Sequence, residues 1–311
     1  MRRRAFLKTT LVGAGSLILG VRCSSDDSDE LAVVASPYVT EASPSHFPQS
    51  IASGDPRPDG AILWTRVVPD GGAQGDVSLI LEVAEDEAFT RLVRLDGKTE
   101  KKVAAQAKFD RCVKVRLTGL SAATTYHYRF IHTVGDKHLS TRVGTVKTAP
   151  KADADVKVRF AVVSCQDYNG RYYNVYRRLA REDLDFVLHL GDYVYETTGN
   201  ESFQKTGSER QVKFTDKKGA IVFNAGKDNE YYAAKSLDNY RDLYRTFRSD
   251  PDLQTMHERA AMICISDDHE FSDDCWGATA HYGEADELDE ARRKNADQAW
   301  FEYMPVDYLD D

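Results

Sequence analysis

Positive charge is what this sequence has least of. Of its 311 residues, 41 are Lys or Arg and 50 are Asp or Glu. The deficit widens once the N-terminus is set apart, because residues 1–23 carry Arg2, Arg3, Arg4, Lys8 and Arg22 and no acid. Without them the balance moves from −9 to −14. Binding to a polyanion depends on Lys and Arg neutralising phosphates, so duplex nucleic acid is not an expected partner. Any anionic substrate needs positive charge brought into its site. Cysteine is scarce as well, and five thiols are too few for a disulfide framework. Long apolar runs are missing: the segment Leu11 to Val21 is too short to cross a ~30 Å hydrocarbon core, and no other stretch comes closer. What is present, 41% apolar and 29% charged residues, belongs to a packed globular chain with room for two domains.

The N-terminus reads as a twin-arginine export signal over residues 1–23. Arg3-Arg4-Ala5-Phe6-Leu7-Lys8 is followed by the small and apolar run Leu11 to Val21. The expected location is periplasmic, extracellular or lipid-anchored at the cell envelope. Cys23 precedes the acidic, serine-rich Ser24 to Glu30 and is a candidate lipid anchor, but Arg22 stands where a small residue is expected, which favours simple cleavage. Residues 24–46 read as a tether. Cys112 and Cys264 fall in apolar strand-like runs and are expected as buried free thiols, with a Cys264–Cys275 disulfide disfavoured.

Residues 47–150 form a series of short alternating segments rich in β-branched and aromatic residues: Ala61 to Val67, Val77 to Ala84, Arg111 to Leu117, Thr125 to Thr133 and Thr141 to Thr148. Gly, Asp, Pro and Asn separate them, as in Asp55 to Gly60. The spacing predicts an antiparallel β-sandwich. Leu117 to Phe130 looks like the strand-turn-strand corner of fibronectin type III modules, where a tyrosine ties back the corner. No titratable cluster falls here, so a structural or substrate-shaping module is expected.

The pattern changes after the polar linker Pro150 to Asp155. Val158 to Cys165 is a near-continuous apolar run, predicting a strand buried on both faces. A helix over Tyr173 to Glu182 and a second buried strand, Asp185 to Leu190, follow. Helices over Leu237 to Phe247 and Leu253 to Arg259 lead to a third strand, Ala261 to Ile265. Strand–helix–strand units of this kind are parallel and bind ligands at the carboxyl ends of the strands. That rim would hold Cys165, Asp192 with Tyr195, and Asp267, Asp268 and His269. So many acids without a base need cations. Oxygen ligands suit Ca²⁺, Mg²⁺ or Mn²⁺, whereas a thiolate and a phenolate also suit Fe³⁺. Asp192 would bridge two ions ~3.5–4 Å apart, the geometry of in-line displacement at phosphorus. Between the second strand and the next helix, the polar segment Thr197 to Glu230 predicts a hairpin of Val212-Lys213-Phe214 with Ile221-Val222-Phe223 around Lys217-Lys218-Gly219. A solvated insertion is favoured over a lid whose lysines meet phosphate.

Three motifs in order carry a resemblance. Ser164-Cys165-Gln166, His189 to Glu196 and Asp267-Asp268-His269-Glu270, preceded by Phe47 to Pro56 and Leu63-Trp64-Thr65-Arg66, resemble the alkaline phosphatase D (PhoD-like) phosphatase/phosphodiesterase family of the calcineurin-like metallophosphoesterase superfamily. The resemblance implies a fibronectin type III-like β-sandwich followed by an α/β metallophosphoesterase domain. It also implies Fe³⁺ held by Cys165, Asp192 and Tyr195, Ca²⁺ beside it with Asp192 as bridge, and Asp268 in place of an amide ligand. His269 would stabilise the transition state or protonate the departing alkoxide of a small phosphate mono- or diester, while a metal-bound hydroxide attacks phosphorus. Asp267 is expected to support rather than bind.

Two departures stand out. Asp273-Asp274 replaces the family's usual asparagine pair, which keeps Asp273 as a candidate ligand with an added negative charge. The superfamily's later histidine-bearing motifs have no counterpart before Asp311, and His281, the last histidine, is expected in a polar loop too near to serve. Residues 151–311 therefore read as an incomplete metallophosphoesterase domain, completed by a separate chain, or else as a catalytically inactive binding or vestigial protein.

Overall fold

The computed structural model describes residues 33–282 and 285–307. The segment read as an export signal, Cys23 and the start of the stretch read as a tether lie outside the described residues. Two sheets form the N-terminal unit. One pairs the strands in the order Thr40–Ala42, Lys137–Ser140, Thr125–Val134, Val77–Ala84 and Lys101–Ala105, with Gly144–Lys147 also on Thr125–Val134. The other pairs Ile51–Arg57, Gly60–Arg66 and Cys112–Leu117. Alternate residues of both, among them Ile51, Leu63, Leu79, Leu81, Val115, Tyr128, Phe130 and Val146, turn inward and form one core. At the expected corner the Ser121 N–H donates to the Tyr126 hydroxyl at 3.0 Å.

The tether boundary needs correcting. From Val33 onward the chain is held on the sandwich: Leu92 N–H donates to the Val34 carbonyl, Ser36 Oγ donates to Glu82, and Thr40–Ala42 joins the sheet in parallel with Lys137–Ser140. Polar composition concealed this, because an edge segment bonds through its backbone.

The second unit is built on three parallel strands, Phe160–Val163, Phe186–His189 and Ala261–Cys264, in that spatial order. The helix Leu237–Phe247 buries Tyr240, Leu243, Tyr244 and Phe247, the i, i+3, i+4, i+7 positions of one face. Its entry is fixed by a capping box between Ser236 and Asn239. Asp250 caps Pro251–Arg259, which has proline at its first turn. A further helix, Glu290–Tyr303, packs on Leu237–Phe247. Cys112 and Cys264 are buried free thiols, and Cys275 is free as well.

The two units share a tight seam. A Cβ on Gly54 would lie 2.3 Å from the Pro305 carbonyl oxygen, so only glycine allows this approach. Trp64 Nε1 donates to the Glu302 carbonyl at 2.8 Å, and the Arg248 guanidinium lies 3.8 Å from the Trp64 ring centre.

Three expectations are overturned. The strand Phe160–Val163 is not buried on both faces: Phe160 and Val162 are 51% and 53% exposed, and Leu190 and Ile265 share that openness, while the sandwich core meets this side of the sheet at Phe186 and Ala261. Ile221–Phe223 pairs with Tyr231–Ala233, which also takes Thr197–Thr198, while Val212 and Phe214 are buried in the core. Their alternation reflects burial without strand pairing. His281 sits in a strand, Thr279–Tyr282, paired with Ala285–Leu288.

Candidate metal centre

Register sets the site. Val163 lies level with His189, and His189 with Cys264, so the three strands end at one edge. The residues that follow them turn sharply there. Cys165 and Asp192 both adopt positive φ, 57° and 53°, a conformation that costs a non-glycine residue free energy and clusters at functional sites. Gly191, with φ of 101°, has no alternative, since a Cβ would stand 2.4 Å from Cβ of Asp267. The turn is supported from beneath by His189, whose Nδ1 accepts from Gly191 N–H at 3.3 Å. Burial drives the His189 ring's pKa down to about 4 and keeps it neutral.

Glu270 links two of these turns. Its buried carboxylate accepts from the N–H groups of Tyr193 at 2.6 Å, Asp267 at 2.7 Å and Asp192 at 3.2 Å. Burial nevertheless raises its pKa to about 7. One side chain thus sets the separation of the Asp192 and Asp268 loops.

The structure brings Asp192, Asp268 and His269 together, with one ligand atom of each within 4.8 Å of the others. Asp268, Asp273 and Asp274 form a second such group. Asp192 is buried, and its Oδ1 has no hydrogen-bond partner. Its Oδ2 accepts from Tyr195 Oη at 3.2 Å, and the exposed Cys165 thiol lies close enough to this carboxylate to feel its charge. Burial raises the Asp192 pKa against the pull of His269. The Cys165 thiol is lowered by Ser164, but burial and the Asp192 and Asp267 carboxylates outweigh this and raise it overall. Burial likewise raises the Tyr195 phenol. A buried carboxylate oxygen without a donor, beside a thiol, a phenol and a second carboxylate, is a donor set that fits cations.

Asp268 is occupied in part by its own loop, accepting from His269 N–H at 2.9 Å and Asp274 N–H at 2.6 Å. Asp273 is exposed and lies 3.4 Å from His269 Nε2. The other ring nitrogen, Nδ1, is 2.7 Å from Glu196 Oε2. Burial disfavours charge on His269, but Glu196, Asp192 and Asp268 prevail and push its pKa up to about 9. Glu196 and Glu270 stand inside the motifs read from the sequence, yet apart from Asp267, three residues before Glu270, their partners lie 73 to 78 residues away, so spacing gave no sign of what they hold.

A parallel α/β unit with a carboxylate, thiol, phenol and imidazole centre at its strand ends, behind a β-sandwich, defines a class of two-part proteins with a cation-ready rim. Comparison with known proteins specifies it further. Residues 160–311 match the family model described as PhoD-like phosphatase, and residues 33–150 match that of the PhoD-like phosphatase N-terminal domain. The chain belongs to the PhoD-like phosphatase family. It is 35% identical over 266 residues to alkaline phosphatase D of Bacillus subtilis (strain 168), covering 84% of this chain and 41% of that protein. A solved structure described as "Structure of PhoD" aligns with a TM-score of 0.70 at 33% identity, covering 85% of this chain and 47% of that one. The chain thus spans less than half the length of either.

Proposed function

We propose that the rim is the centre of a metal-dependent phosphoric ester hydrolase acting on a small phosphate mono- or diester. The observation that carries this reading is the buried, unpartnered Asp192 Oδ1 at the meeting point of Asp268 and His269, in a member of a phosphatase family. Cys165, Asp192 and Tyr195 would hold one ion, Fe³⁺ by family resemblance, and Asp192 with Asp268 a second, Ca²⁺. Bound there, the ions supply the positive charge this acidic protein lacks and polarise the phosphoryl oxygens.

His269 does the proton work. Glu196 against Nδ1 favours the protonated ring, and Nε2–H is the proton given to the leaving ester oxygen. Glu196 on Nδ1 orients the ring and stabilises its charge. Asp273, beside Nε2, keeps that proton in place until substrate displaces it. Gly191 and Glu270 hold the carboxylates at fixed separation. The sandwich, read as fibronectin type III-like, supports the α/β unit through the Gly54 and Trp64 seam, and the basic N-terminus is read as a twin-arginine export signal.

The test is hydrolysis of p-nitrophenyl phosphate and its bis ester by purified protein loaded with Fe³⁺ and Ca²⁺. Activity no greater than that of a Cys165→Ala, Asp192→Asn double variant ends the reading for this chain. A second reading, a non-catalytic binding protein, is favoured by one feature: the open apolar sheet face at Phe160, Val162 and Ile265.

A further inference from the structure

Next to the centre lies a cleft of about 300 Å³ with aromatic walls. Cys165 and Tyr195 form the end it shares with the centre, and Gln166, Tyr172 and Phe203 line the remainder. Tyr172 is 72% exposed and Phe203 36%. Neither is needed to fill a core, yet both are fixed. The Arg210 guanidinium, held by Asp250 at 2.8 Å, lies 5.1 Å from the Tyr172 ring centre and 4.0 Å from that of Tyr168. The Phe203 carbonyl accepts from Arg171 Nη2 at 2.6 Å, and its ring stands 6.2 Å from Tyr195 and 6.4 Å from His269. Rings already in position lose little entropy when a ligand stacks on them.

Charge narrows the ligand. Arg171 is the cation lining the cleft, and it pairs with the buried Asp167 at 3.2 Å, so the two cancel. A second phosphate therefore finds no free positive charge in the cleft. Gln166 lines the cleft and its Oε1 has no hydrogen-bond partner, so a turn of the side-chain amide presents an acceptor to an N–H or O–H on the ligand. We propose that the cleft is a subsite for an uncharged planar ring carrying a hydrogen-bond donor, of the nucleobase kind, as the ester group of the substrate. This rests on the phosphoesterase reading, which places phosphorus at Asp192; the cleft then receives the group attached to it. A base stacks on the Tyr172 or Phe203 ring while its N–H meets the turned Gln166 amide.

Saturation-transfer NMR on the full, metal-free chain tests the subsite independently of the centre. Thymidine is the probe, and 2-deoxyribose, which lacks the ring, is the control. The expected result is saturation of the thymine protons with none for deoxyribose. Tyr172→Ala or Phe203→Ala should weaken thymidine binding at least about fivefold, as loss of one stacking ring does. The exposure of both side chains leaves the fold intact, checked by an unchanged melting curve. No saturation of the ring in wild-type protein, or saturation unchanged in both folded variants, overturns the proposal. Repeating the titration with thymidine 5′-monophosphate and Ca²⁺ separates the two readings. If the phosphate adds no affinity and Asp192→Asn changes nothing, the metal-centre reading fails while the ring subsite stands.

Discussion

Glu196 lies 2.7 Å from Nδ1 of His269, and its other oxygen accepts the Asp273 N–H at 2.9 Å. One carboxylate therefore sets both the tilt of the imidazole and the start of the Asp273 loop. Glu196→Gln preserves the shape and removes the charge. In the metal-loaded protein kcat should fall about 10- to 100-fold with little change in KM. Because His269 is assigned as the acid, the loss should be larger for an alkyl leaving group than for p-nitrophenol, which departs without help. Equal losses for both esters would remove His269 from that role.

Asp192 is the hub of the proposed ligand set, accepting from Tyr195 and placing a carboxylate oxygen within 4.8 Å of ligand atoms of Asp268 and His269. Asp192→Asn keeps a similar volume but loses the charge. Metal content after dialysis, measured by mass spectrometry, should fall below half that of wild type. Unchanged content would move the cation elsewhere.

The site's location was legible because a glycine and an acid directly after a buried strand mark a strand-end turn, and Gly191-Asp192 gave that signal. Cys165 was read differently, as the residue that ends the apolar run Val158 to Cys165. Other features were hidden for physical reasons. An apolar run such as Val158 to Val163 has the same composition whether one face or two are covered, so the exposure of Phe160 and Val162 could not be read. Val212 and Phe214 alternate like a strand, but their alternation serves the core. Glu270 reaches the N–H groups of Asp192 and Tyr193, which meet it only once the sheet is formed.

The seam between sandwich and α/β unit has its own acid dependence. Asp110 accepts from Arg66 at 2.8 Å and from Arg245 at 2.8 Å, and Tyr303 adds its hydroxyl. Burial alone would raise this carboxyl, but Arg245 and Arg66 hold its pKa well below the usual range. A folded pKa below the unfolded value of about 3.9 gives stability that is complete above that pH and lost as the pH falls further. Asp110→Asn should lower unfolding free energy at pH 7 by about 3 kcal/mol, since it leaves the buried Arg66 guanidinium without its carboxylate and takes from the half-buried Arg245 one of its two. The difference between variant and wild type should shrink below about pH 4. A difference constant from pH 7 to pH 3 in urea titrations would show that the carboxylate's charge is not what holds the seam.

The open sheet face makes the last prediction. Val162 and Ile265 are about half exposed, whereas Leu243, on the helix Leu237–Phe247, is fully buried. Leu243→Ala should cost about 2–5 kcal/mol, because it removes packed atoms and leaves a cavity. Val162→Lys should cost under about 1 kcal/mol, because the side chain can extend into water. The same change breaks a contiguous apolar surface of the kind that binds hydrophobic dyes. Native protein should therefore enhance anilinonaphthalene sulfonate fluorescence, and Val162→Lys paired with Ile265→Lys should reduce it while leaving the melting temperature within a few degrees. A large loss of stability in that double variant would mean the face is covered in solution, and an unchanged dye signal would place the dye elsewhere on the protein.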